Sequence, residues 1–203
     1  MKKLLILLLL VIALANGLKA DMPMGEFPYV ATSPSGMCYF EMIPPRVSNG
    51  VRKEASGVAY RLSRDGSSKE LWQTDGWYSL KVFLSEDGSY LVRMGPWNLG
   101  QEPSKNDLAV AFYKDGNLLK QYSTTDLVKD KTKVVRSASH YAWLASDIQR
   151  EKQIFSGKKI HDEESEPSLF LDNTLHLKTC DDIVYIFDVK TGDIKSSNPA
   201  GNQ

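Results

Sequence analysis

Apolar residues in this chain come in short runs broken by polar, glycine-bearing turns. The clearest such stretch lies between residues 80 and 127. Leu80-Lys81-Val82-Phe83-Leu84 is followed by the turn Ser85-Glu86-Asp87-Gly88 and then by Tyr90-Leu91-Val92-Arg93-Met94. Beyond a polar bridge, Leu108-Ala109-Val110-Ala111-Phe112-Tyr113 turns over Asp115-Gly116 into Leu118-Leu119-Lys120-Gln121-Tyr122. Asp-Gly between β-branched and aromatic runs is a strong hairpin signal, because glycine accepts the positive φ of the turn and aspartate tolerates it. Two successive hairpins predict a four-stranded meander.

The same order occurs upstream. Tyr29-Val30-Ala31-Thr32, the turn Ser33-Pro34-Ser35-Gly36 and Cys38-Tyr39-Phe40-Glu41-Met42-Ile43 predict one hairpin, which Pro44-Pro45 ends because proline cannot donate to a ladder. A polar loop over residues 46–56 leads to Gly57-Val58-Ala59-Tyr60-Arg61-Leu62, which folds over Asp65-Gly66 into Leu71-Trp72. Gly36 and Gly88 stand 52 positions apart, and Gly66 and Gly116 stand 50 apart. Paired hairpins recurring at such a spacing suit a repeat architecture built of four-stranded units.

Downstream the pattern degrades. Residues 123–128 predict a short helical turn with Ser123 or Thr124 as N-cap. Residues 134–143 predict a strand, 149–160 a charged irregular segment, and 161–167 an acidic loop. Alternation resumes over 168–177 and again over 183–194. The expected fold is all-β: antiparallel four-stranded meanders in an incomplete, propeller-like array of about three blades, with a β-sandwich as the alternative.

The N-terminus changes the picture of where the chain works. Lys2-Lys3 precede an aliphatic run over residues 4–14, and Ala13-x-Ala15 and Leu18-x-Ala20 offer small-residue cleavage sites. This describes a secretory signal peptide over residues 1–20, cut after Ala20; the run is too short for a membrane anchor. Residues 21–194 are then one β-rich domain, residues 195–203 a flexible tail, and the protein is periplasmic or secreted, with no stable membrane anchor. The whole chain carries 25 basic and 25 acidic residues; loss of Lys2, Lys3 and Lys19 leaves a net charge of −3. A weakly acidic domain has no electrostatic reason to seek nucleic acid.

Export permits a disulfide between Cys38 and Cys180, although Cys38 shares a strand face with Phe40 and Met42 and equally suits a buried free thiol. Both states stay open. No Cys-x-x-Cys pattern is present.

Ser33-Pro34-Ser35-Gly36-Met37-Cys38-Tyr39 and Ser85-Glu86-Asp87-Gly88-Ser89-Tyr90-Leu91 resemble the Ser-Pro-Asp-Gly turn of WD-like propeller repeats. Such repeats occur in exported bacterial propellers and in the propeller domains of prolyl oligopeptidases. Phe187-Asp188-Val189-Lys190-Thr191-Gly192 looks like the outer-strand ending of such a blade. The resemblance implies four-stranded blades. Closed propellers use about four to eight, so the array is open, closes through a partner copy, or changes character in its third segment. A propeller fold by itself implies no activity.

Candidate chemistry is sparse. Trp72, Trp77, Tyr78 and Trp97 cluster on connections between hairpins, where aromatic rings either grip a ligand or fill gaps between sheets. The loop Arg93-Met94-Gly95-Pro96-Trp97-Asn98-Leu99-Gly100 has glycines that let its backbone take unusual paths. In Ser139-His140-Tyr141-Ala142-Trp143, His140 alternates with Ala142 while Tyr141 and Trp143 share the opposite strand face. Ser137 or Ser139 with His140 could begin a triad, but no Gly-x-Ser-x-Gly elbow exists, and a serine next to a histidine on a strand points away from it. His161 with Asp162, Glu163, Glu164 and Glu166 lacks calcium-loop spacing, and His176 sits on a leucine-flanked strand.

The residues expected to bind a ligand are therefore Trp77, Arg93, Trp97, His140, Tyr141 and Trp143. No catalytic residue, metal site or cofactor is expected. The expected function is a binding or interaction module acting without chemistry on a protein or peptide of the cell envelope. A second copy could also pair with it through an exposed edge strand. The alternatives are a carbohydrate-binding module and a hydrolase with an unrecognised site.

Overall fold

The computed structural model describes residues 25–156 and 165–199. The expected signal peptide, the acidic residues 161–164 and the last four residues lie outside the described residues. Among the described residues no helix is long and apolar enough to cross a membrane.

Three antiparallel four-stranded sheets carry the fold. The first holds β1 (Tyr29–Thr32), β2 (Cys38–Ile43), β5 (Ser56–Leu62) and β6 (Ser68–Asp75). The second holds β7 (Val82–Leu84), β8 (Tyr90–Met94), β9 (Leu108–Lys114) and β10 (Asn117–Ser123). The third holds β13 (Ser168–Leu169), β14 (Thr174–Lys178), β15 (Ile183–Asp188) and β16 (Ile194–Pro199). In all three the strand order follows the chain, and none closes on itself. The fold is all-β and propeller-like, an incomplete array and not a two-sheet sandwich.

The strand period of two decides what each sheet buries. Cys38, Phe40 and Met42 alternate along β2 and meet Ala59 and Trp72 on one face of the first sheet. Against them pack Val82, Leu84, Leu91, Ala111 and Tyr113 of the second sheet. The other face of the second sheet presents Val92, Met94, Val110 and Phe112 to Leu175, Leu177, Tyr185 and Phe187 of the third. Strand β9 is thus buried on both sides, which is why its sequence is continuously apolar and not alternating. Removing the fully buried Phe112 ring would cost about 3–5 kcal/mol.

Hairpin tips lock the sheets together. Trp72 Nε1 donates to the Gly88 carbonyl at 2.7 Å, and Arg61 donates to the Asp87 carbonyl at 2.7 Å. Tyr122 donates to the Gly192 carbonyl at 2.9 Å, and Lys120 pairs with Asp193 at 2.6 Å. At the tight turn of β9 and β10, Asp115 has φ 48° and Gly116 has φ 78°. A Cβ on Gly116 would lie 2.7 Å from the Gln73 carbonyl oxygen of the first sheet, so that position needs glycine for contact as well as for φ.

The segment between the second and third sheets departs from expectation in two places. The predicted strand over residues 134–143 is a small hairpin, β11 (Val135–Arg136) paired with β12 (Tyr141–Ala142). The segment read as irregular is largely helix α2 (Ala145–Ser156), supported by an Asp147–Arg150 pair at 3.2 Å one turn apart. The short helix α1 (Thr124–Leu127) forms as expected with Ser123 as N-cap. Elsewhere, the polar loop after Pro45 contains the hairpin β3 (Arg46–Ser48) and β4 (Val51–Lys53), turned over Asn49-Gly50. The expected tail is in part β16, which pairs with β15 through residue 199.

Candidate functional site

Two connections meet beside the second sheet's β8 and the small hairpin β11–β12. The loop after β8 carries Trp97 and Leu99, and the turn joining β11 to β12 carries Ser137 and His140. Leu99 bridges His140, Gly100 donates its N–H to the Ser139 carbonyl at 3.1 Å, and Tyr141 donates to the Asn98 carbonyl at 3.3 Å. Gln101 Nε2 donates to the Ser137 carbonyl at 3.2 Å, and Arg136 Nε donates to the Gln101 carbonyl at 2.8 Å. The backbones are fixed to one another, so the side chains they carry are held in place.

Within this frame the Trp97 ring lies 4.0 Å from the His140 ring, centroid to centroid, at an interplanar angle of 41°. His140 is 4% exposed, whereas Trp97 is 36% exposed and covers it from outside. Ser137 Oγ is hydrogen-bonded to His140 Nδ1. The same oxygen accepts the backbone N–H of His140 at 3.2 Å and of Ser139 at 3.4 Å. A serine beside a histidine on an extended strand would point away from it. Here the chain turns between them, Ser137 N–H donating to the His140 carbonyl at 2.9 Å, and the spacing of three brings the side chains together. Both residues are visible in the sequence; the turn that joins them is not, because residues 134–143 read as one strand.

Tyr141 and Trp143 share a face as expected, but it is the core face. They are 2% and 3% exposed and belong to the cluster between the second and third sheets. The Tyr141 hydroxyl meets Asp107 Oδ2 at 2.7 Å and Thr124 Oγ1 at 2.9 Å. Burial pushes that hydroxyl well above its ordinary pKa, and the Asp107 carboxylate adds to the rise. Tyr141 therefore anchors the loop and α1 to the core, and Trp143 is buried in the same cluster.

Trp77 and Arg93 make a different contact. The Arg93 guanidinium lies over the Trp77 ring at 4.6 Å, and that ring stacks on Tyr113 at 5.4 Å and Phe40 at 6.3 Å. Arg93 Nε is enclosed without a hydrogen-bond partner among the described residues. Trp72 and Tyr78 are likewise engaged between elements, Tyr78 through its hydroxyl with the Phe27 backbone. Of the six residues expected at a ligand site, only Trp97 and His140 are brought together beside Ser137.

The two cysteines are free. Cys38 lies in the core between the first two sheets, Cys180 against the core between the second and third, so the permitted bridge is not formed. Burial and the neighbouring Asp181 charge push the Cys180 thiol up to about 12. His176 contacts the Phe170 ring at 4.4 Å. Among the described residues no group of three or more His, Cys, Asp or Glu is arranged to hold a metal ion.

The protein is thus of the all-β, propeller-like class, with a serine–histidine pair on one set of connections. No family model matches the chain, and no curated protein matches it by sequence. Among solved structures it is similar to the periplasmic gluconolactonase PpgL of Pseudomonas aeruginosa, a propeller-type fold, at 16% identity and a TM-score of 0.32. It is also similar to the WD-repeat protein Sqt1 of Saccharomyces cerevisiae, at 11% identity and a TM-score of 0.30. The matches cover 91% and 90% of this chain but only 61% and 54% of those two chains. The expectation of a binding module that acts without chemistry is not carried forward; the first of these structures is that of a hydrolase. Likeness at this level passes on neither that activity nor its substrate.

Proposed function

We propose that the protein is an exported, WD-like repeat protein of bacterial type that hydrolyses ester substrates at Ser137, with His140 as the base. The export reading rests on Lys2-Lys3 and the aliphatic run that follows them. The chemical reading rests on one observation, the hydrogen bond between Ser137 Oγ and His140 Nδ1. A nucleophile and a base within hydrogen-bond reach are the minimum that acyl transfer requires. The backbone N–H groups of Ser139 and His140 donate to the same Oγ and favour the negative charge it gains as its proton leaves.

Ser137 Oγ attacks the acyl carbon while its proton passes to His140 Nδ1. The alcohol leaves with that proton, and water repeats the sequence to release the acid and restore the serine. Trp97, the exposed ring over His140, offers an apolar face for the acyl or alcohol group. The test is labelling with a fluorophosphonate together with hydrolysis of p-nitrophenyl acetate. Label on Ser137, and a rate at least ~100-fold lower in Ser137→Ala and His140→Gln, is the expected result. No label on the folded protein, with Ser137→Ala lowering only Tm, would make Ser137 a turn-forming residue and end the proposal.

A further inference from the structure

We propose that two copies of this chain close into one ring, the free face of the first sheet in each copy packing on the free face of the third sheet in the other. Within the described residues each terminal sheet is covered on one side only. On the first sheet the opposite face carries Tyr39, Val58 and Tyr60, and the two tyrosine rings are stacked at 5.1 Å. On the third sheet the opposite face carries Val184 and Ile186. All five side chains are half-buried and alternate with the core residues of their strands.

Two observations name a second copy as the occupant. The faces are complementary in charge: Glu41 borders the tyrosines of the first sheet, and Lys178 borders Val184 of the third. Lys178 is half-buried and pairs within its own chain with the exposed Asp182 at 3.2 Å, an arrangement that an incoming carboxylate could share. The mating itself is also one the chain already makes twice, first sheet on second and second on third. A two-fold axis through a pair of three-sheet arrays repeats it twice more, and six sheets lie within the range of about four to eight found in closed propellers. Neither face carries Ser137 or His140, so this inference stands apart from the proposed chemistry.

The test measures the mass of the purified chain by size-exclusion chromatography with light scattering, across a dilution series. The expected result is twice the monomer mass. Val58→Glu on the first sheet and Ile186→Lys on the third should each give monomers, with dimerisation weakened at least ~30-fold, because either change alone spoils both contacts of the ring. Mixing the two variants should restore a weaker dimer through the one contact in which neither substitution lies. Circular dichroism and Tm check that each variant folds; Tyr60→Glu and Val184→Lys replace any that does not. A monomeric parent overturns the proposal. So does a dimer that only one of the two variants disrupts, which would be like-on-like pairing, or a mass that grows beyond two copies, which would be open stacking.

Discussion

Glycine at the tips of these hairpins serves two separate needs that can be measured apart. Gly50 and Gly116 both have positive φ, 74° and 78°, so alanine is strained at either. Around Gly50 nothing lies within 4 Å of an added Cβ, whereas at Gly116 the Gln73 carbonyl oxygen lies at 2.7 Å. Gly50→Ala should cost about 1–2 kcal/mol from backbone strain alone. Gly116→Ala should add about 1–3 kcal/mol, because the clash is with backbone that cannot swing aside. Thermal melts check this: the Tm of Gly116→Ala should fall below that of Gly50→Ala by several degrees. Equal melting temperatures would mean that the second sheet does not bear on the first through this turn.

At the scale of elements, α1 is exposed to pH through its cap. Its four residues are held by a capping box in which Ser123 accepts from the Asp126 N–H and Asp126 accepts from the Ser123 N–H at 2.8 Å. The Ser123 hydroxyl, and then its N–H, hold the Asp126 carboxyl below the usual range. A depressed carboxyl stabilises the fold above the unfolded-state value of about 3.9 and loses that contribution as pH falls through the folded value. Asp126→Asn should therefore lower Tm by about 1–3 °C at pH 7, with the difference closing as pH falls through the depressed folded value. A difference that persists in acid would show that the charge is not what the cap uses.

The same elements separate what could be read from the chain and what could not. Strands flanked by Asp-Gly, and α1 behind Ser123, were legible because their causes are local. The hairpin over Asn49-Gly50 carries the same signal, but its polar neighbours mask it. Helix α2 was not legible, since its polar sequence offers no strong face; contacts from outside hold it, including Arg150 to Glu166 at 3.2 Å and Gln149 to Ser165 at 2.9 Å. Tyr141 and Trp143 looked like surface aromatics because the leucines that bury them arrive from the third sheet, more than thirty residues later.

For the molecule as a whole, the second sheet is the part that must be intact for the rest to hold. It is the one four-stranded sheet among the described residues with a core on both faces. Native-state hydrogen exchange should find the slowest amides in β8 and β9, and the fastest among strands in β3 and β4, whose side chains are all exposed. Slower exchange in β3–β4 than in β9 would contradict this layering. Six ligand candidates can be named from sequence, but only the assembled array shows that Trp97 and His140 meet. The pairing depends on two connections more than forty residues apart.

The wedged hairpin tips also bear on anyone who wishes to attach something to this protein. Loop ends are the customary place for an epitope, a dye or a fused domain, yet here Gly88, Gly116 and Gly192 each lie within about 3 Å of a neighbouring blade when given even one extra carbon. Cargo placed there would pry the blades apart. The Asn49-Gly50 tip, where nothing lies within 4 Å of an added Cβ, is a port that leaves the array undisturbed, as is the Asp65-Gly66 tip.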